Sequence, residues 1–162
     1  MIIGGGVFQV PVIKIAKSMG LKVVVTDYNP ESEGMLLADY PIEVSTRNIN
    51  LTVNTAKQFH ISCPLDGVMT VGTDASQTVA AVADALNLPG IPFEVAERAT
   101  DKIKMRQVLQ EKGVPVPQFR PVWNLDEGRE ALNSMEFPLG IKPCDNMGAR
   151  GVRKIERPDD LM

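Results

Sequence analysis

The sequence holds 162 residues, 44% hydrophobic and 23% charged, a composition that belongs to a folded globular chain and excludes a disordered or fibrous one. With 17 basic and 20 acidic residues the net charge is −3, so no global positive field gathers nucleic acid or an anionic membrane, and small-molecule partners are expected. Two cysteines without C-x-x-C spacing exclude a disulfide scaffold and a cysteine zinc site, and His60 alone cannot make a histidine metal cluster.

In chain order, residues 1–3 read as a short strand entering Gly4-Gly5-Gly6. Val12, Ile15, Ala16 and Met19 then recur at helical spacing, and Gly20 stops that helix. The run 22–26 is a β-branched, buried parallel strand, which completes a βαβ unit. Residues 40–44 are predicted as a third strand, 51–59 as a helix and 67–70 as a fourth strand. A helix over 74–86 follows, with Val79, Val82 and Leu86 inward. Leu88-Pro89-Gly90-Ile91-Pro92 breaks this rhythm, so a first domain is expected over 1–96 and a second over 97–162.

In the second part Thr100-Asp101 is predicted to cap a helix that runs to Lys112 and stops at Gly113, and the prolines at 115 and 117 hold the next segment extended. A strand is expected over 119–122 and a helix over 126–134. Residues 139–142 and 152–155 make an antiparallel hairpin, and Pro158-Asp159-Asp160 opens another helix. The predicted class is α/β: a parallel sheet followed by an incomplete α+β unit. No stretch reaches the length of a membrane span and the first residues lack the form of a signal sequence, so a cytoplasmic chain is expected.

Three places carry possible chemistry. Gly4-Gly5-Gly6 lies between a strand and a helix, where backbone N–H groups can meet phosphate or carboxylate; a tight turn with no ligand is the plainer alternative. Thr73-Asp74 follows the predicted fourth strand, either as a ligand contact or simply as a helix cap. Gly4, Gly5, Gly6, Asp27, Thr73 and Asp74 all follow strand C-termini, so one ligand end of the sheet is expected to gather them. The third place is Ile141-Lys142-Pro143-Cys144-Asp145-Asn146-Met147-Gly148-Ala149-Arg150-Gly151-Val152, a lysine leaving a strand and then a glycine loop. It is not a Walker loop, because the lysine precedes the glycines and strands flank it on both sides. It reads either as a phosphate site charged by Lys142 and Arg150 or as a hairpin with a solvated basic tip.

Taken in this order the motifs resemble the ATP-grasp superfamily of carboxylate-amine ligases. Ile3-Gly4-Gly5-Gly6 with Gln9, Asp27-Tyr28-Asn29-Pro30 and Leu86-Asn87-Leu88-Pro89-Gly90 look like the Rossmann-like domain that precedes the grasp. Asp101-Lys102 with Met105-Arg106, Gly113-Val114-Pro115-Val116-Pro117, and Lys142-Pro143 with Gly148-Ala149-Arg150-Gly151-Val152 look like its first ATP-binding subdomain. The flavour is that of carbamoyl-phosphate synthase large chains and phosphoribosylamine-glycine ligases, in which ATP phosphorylates a carboxylate and an amine attacks the acyl phosphate.

The resemblance implies ATP at Lys102, Lys142, Asn146, Gly148, Ala149, Arg150 and Gly151, and a small carboxylate substrate at Gly4, Gly5, Gly6, Gln9, Asp27, Thr73 and Asp74. It implies Mg²⁺ as a second cofactor, with ligands in a later subdomain that does not follow Met162, and it assigns no catalytic residue or metal ligand here. The expectation is therefore a fragment or one half of a split enzyme, inactive alone and completed by another chain or a homo-oligomer. Two alternatives stand beside it. A nucleotide-binding or regulatory module would do no chemistry. An NAD-dependent oxidoreductase is suggested by the glycines and Asp27 but opposed by Gln9, where the dinucleotide fingerprint needs glycine.

Overall fold

A computed structural model describes residues 1–161, and the chain divides into two compact units, Met1–Glu97 and a second that begins at Arg98. In the first unit β1 (Ile2–Ile3) leads through a 3-10 turn (Val7–Gln9) into α1 (Val10–Ser18), followed by β2 (Val24–Asp27), α2 (Glu33–Leu37), β3 (Tyr40–Glu43), α3 (Ile49–Ser62) and α4 (Ser76–Leu86). β1, β2 and β3 form a parallel sheet in that order, with Ile2 opposite Val25 and Val25 opposite Pro41. Pro41 lacks an N–H and is tolerated because β3 is an edge. The predicted fourth strand is reduced to a single parallel bridge between Ile2 and Met69. It goes no further because the chain beyond is held by side chains: Thr70 Oγ1 donates to Ile3 O at 2.6 Å, and Gln9 Nε2 donates to Val71 O.

β2 alternates between two cores, which is why its apolar run is nearly continuous. Val25 packs with Ile2, Ile13, Val23 and Met35 beneath α1 and α2, while Val24 packs with Ala56, Leu65 and Val82 beneath α3 and α4. The result is helix, sheet, helix. Within α4, Val82 is buried and Leu86 packs against the core, as its period predicts.

The predicted face of α1 is corrected. Ile13 is fully buried and Val12 and Ala16 pack beside it, whereas Ile15 and Met19 are 58% and 69% exposed. Apolar residues at 10, 12, 13, 15 and 16 spread over more than one face of the helix, and the exposed Lys14, Lys17 and Ser18 mark the side turned away from the sheet. Ile13→Ala is expected to destabilise the unit by about 3 kcal/mol, and Ile15→Ala to change it by less than about 0.5 kcal/mol. Urea denaturation followed by circular dichroism reads both.

Before β3, the Asp39 carboxylate accepts the Val23 N–H at 2.9 Å and meets Lys17 Nζ at 3.3 Å and Lys22 Nζ at 3.8 Å. The Val23 hydrogen bond first, and then the two lysines, hold its pKa below the ordinary carboxylate range. The folded state thus takes up this proton less readily than the unfolded state. Its stabilisation is present above the usual Asp range and is lost as pH falls through the lower folded value. Asp39→Asn is expected to lower stability at neutral pH and to flatten this acid limb, measured by denaturant midpoints at pH 7 and pH 3.

The second unit takes in the end of α5 (Phe93–Thr100), then α6 (Lys102–Glu111), α7 (Leu125–Leu132), β4 (Leu139–Ile141), β5 (Arg153–Ile155) and a 3-10 turn (Pro158–Leu161). Asp101 caps α6, its Oδ1 accepting from Ile103 N at 2.8 Å and Lys104 N at 3.0 Å. β4 and β5 are antiparallel, with Leu139 opposite Ile155. The strand expected over 119–122 is absent and the segment is irregular. Pro117 and Pro121 remove backbone donors there, and the Phe119 ring lies under the Arg106 guanidinium, 5.6 Å from its centroid. No helix of the described residues is long and apolar enough to cross a membrane.

Candidate functional site

In the first unit the parallel register places the C-termini of β1, β2 and β3 on one edge, and the chain after Met69 arrives on the same edge. Gly4, Gly5, Gly6, Asp27 and Thr73 converge there. Gly5 N donates to Asp27 Oδ2 at 2.7 Å, and Thr70 and Thr73 share a hydroxyl hydrogen bond of 2.9 Å. Thr73 Cγ2 lies 3.3 Å from where a Cβ on Gly4 would stand. Asp74 is at the entrance to α4, 3.5 Å from Arg47 Nη2. Thr46, Arg47, Ile49, Thr73, Asp74 and Thr78 line a cleft of about 160 Å³ between the N-terminal ends of α3 and α4.

Two of the gathered side chains are already engaged. Asp27 is buried and both of its oxygens accept backbone N–H groups, Gly5 on one and Asn29 on the other at 2.9 Å, so it fastens the glycine turn. Gln9 is 2% exposed and its amide holds the loop after Met69. Sequence reading also missed Gly34. Its N–H donates to Gly5 O at 2.6 Å, and a Cβ at Gly34 would lie 2.6 Å from that same oxygen. α2 therefore sits on the glycine turn backbone to backbone. The one available signal was a glycine inside a short helical stretch, which marks close packing.

In the second unit the glycine loop runs from the end of β4 to the start of β5. Gly148, Ala149 and Gly151 have φ of 66°, 58° and 74°, and the left-handed conformation at Ala149 costs about 1 kcal/mol. A Cβ on Gly151 would lie 2.8 Å from Pro143 Cγ, so only glycine lets the loop close onto its own stem. Lys102, Met105, Lys142, Asn146, Met147 and Arg150 are among the residues lining a cleft of about 420 Å³ beside this loop, with Gly148 and Ala149 at its wall. Every predicted ATP contact except Gly151 lies on that lining. Lys142 is exposed and makes no hydrogen bond or ion pair among the described residues, which leaves its charge available. Lys102 is half-buried and donates through Nζ to the Asn146 carbonyl at 2.5 Å and the Cys144 carbonyl at 3.4 Å. Arg150 reaches the Met147 carbonyl through Nε at 3.0 Å.

The chain is similar to several known proteins in sequence and fold. Residues 13–90 match the ATP-grasp N-terminal domain family. An uncharacterised protein of Sinorhizobium fredii is 31% identical over 110 residues, which are 68% of this chain and 23% of that protein. The structure is similar to L-amino acid ligase from Bacillus licheniformis, with a TM-score of 0.78 and 26% identity over 99% of this chain and 39% of the ligase. It is similar in fold to N5-carboxyaminoimidazole synthetase from Staphylococcus aureus complexed with ADP, with a TM-score of 0.76 and 20% identity over 99% of this chain and 42% of that one. The chain thus spans well under half the length of each of these relatives.

Proposed function

Residues 13–90 match the ATP-grasp N-terminal domain family, and on that premise we propose that this chain supplies the substrate edge and the first nucleotide-binding elements of an ATP-dependent carboxylate-amine ligase. The cleft of the second unit carries the reading: a cation with no partner among the described residues, Lys142, stands beside a glycine loop that holds left-handed backbone at three positions. Such a loop lets backbone come close to phosphate, and a lysine at its stem acts as a point charge.

In the proposed reaction a carboxylate oxygen attacks the γ-phosphorus of ATP as the bond to ADP breaks. An amine then attacks the acyl carbon and phosphate leaves. The part played by this chain is positioning and charge neutralisation, which dominate phosphoryl transfer. Lys142 and Lys102 face the phosphates, residues 146–151 cover them, and the edge around Gly4, Gly6, Thr73 and Asp74 takes the carboxylate substrate. Magnesium would screen the transferred charge, but among the described residues no group of three His, Cys, Asp or Glu side chains converges to hold it.

Gln9, standing where the dinucleotide fingerprint needs glycine, disfavours the oxidoreductase reading. Titration calorimetry with MgADP, alongside NADH fluorescence enhancement, tests the proposal. Saturable MgADP binding without NADH enhancement is expected, and binding of NADH alone overturns it. ATP turnover by the isolated chain is expected to be nil, and a coupled ADP-release assay reads it.

A further inference from the structure

The position of Lys102 suggests a role of its own. It is the first residue of α6, and its main chain and side chain both point at the glycine loop. Its backbone N–H donates to Cys144 O at 3.0 Å, and its ammonium reaches the same carbonyl at 3.4 Å and Asn146 O at 2.5 Å. Three hydrogen bonds therefore tie one residue of a capped helix to the entry of a loop whose other residues, 147 to 151, are exposed. Asp101 turns the first free N–H groups of α6 onto its own carboxylate, so the helix end is fixed independently of the loop. The rigid partner is the helix and the loop is what it holds.

We propose that Lys102 is a positioning residue, a latch that sets the glycine loop through the carbonyls of Cys144 and Asn146 before any nucleotide arrives. An ammonium has three donors and no acceptor. Two of them go to carbonyls here, and the third is available to an anion in the cleft that Lys102 lines. A phosphate oxygen in that place would be joined to the loop through one nitrogen, so that ligand and loop stabilise each other. Lys142 makes no such bonds among the described residues and acts on the ligand alone. This division of labour rests on the nucleotide reading of the cleft, whereas the latch itself rests on hydrogen bonds within the chain.

Trypsin reports it directly, because Arg150 is an exposed cleavage site inside the loop and cutting there follows the population of open loop. In the nucleotide-free chain Lys102→Met is expected to speed cleavage after Arg150 by roughly tenfold. Cleavage after Arg106 within α6 and after Arg47 in the first unit is expected to keep its rate, and Lys102→Arg to restore the slow cut. Lys142→Met is expected to leave cleavage unchanged while weakening MgADP binding. An unchanged cut after Arg150 in Lys102→Met overturns the latch. So does a rise matched at Arg106 that Lys102→Arg fails to reverse, because the helix rather than two donors would then have been lost. A wild-type chain that shows the latch but binds no MgADP retains the positioning role and overturns the nucleotide reading instead.

Discussion

Lys142→Ala is expected to weaken MgADP binding to the chain by about 2 kcal/mol, a factor of about 30. The size follows from geometry. The ammonium makes no hydrogen bond or ion pair among the described residues, so a phosphate would not compete with an internal partner for it. Lys154 is the control, since its ammonium is 2.7 Å from Glu156 on an exposed strand and its removal is expected to change binding by less than about 0.5 kcal/mol. Equal loss at both positions would reduce the loop to a solvated basic tip.

The second large effect is structural. Gly34→Ala would ordinarily favour a helix by about 1 kcal/mol. Here the new methyl would stand 2.6 Å from Gly5 O and 2.8 Å from Gly5 Cα, and neither backbone atom can yield. α2 must lift away from the glycine turn, taking Met35 out of the core it shares with Ile13 and Val25. A net loss of about 2 to 3 kcal/mol is expected, a fall in Tm on the order of 10 to 20 °C for a unit of this size. Gly20→Ala is the comparison. It suffers only from its left-handed backbone, with nothing within 4 Å of the added carbon, and is expected to lose about 1 kcal/mol. Differential scanning calorimetry of both variants distinguishes steric exclusion from backbone preference.

What the sequence revealed follows the range of the interactions involved. The cap at Asp101, the end of α6 before Gly113 and the hairpin around the glycine loop were legible because each is decided within a few residues. α2 was missed because five residues after Pro30, with a glycine among them, carry too little periodicity; tertiary contact with Gly5 makes the helix. The edge that gathers Gly4, Thr73 and Asp74 could be foreseen from strand ends. That Asp27 would be occupied could not, because no spacing rule tells which carboxylate an N–H of the glycine turn finds first. Arg47, lining the cleft with Asp74, was missed because it lies on neither motif.

The placement of β1 also bears on how the first unit is made. This two-residue strand lies between β2 and the Met69 bridge, so the middle of the sheet joins residues 67 positions apart. On a ribosome the first βαβ half is exposed with one flank of β1 unpaired until Met69 has emerged. Closing so long a loop is an entropic cost met before the bridge rewards it, which slows the search for the native pairing. Variants that weaken Ile2, Ile3 or the bonds from Thr70 and Gln9 are therefore expected to lose soluble yield during synthesis beyond what their equilibrium stability accounts for.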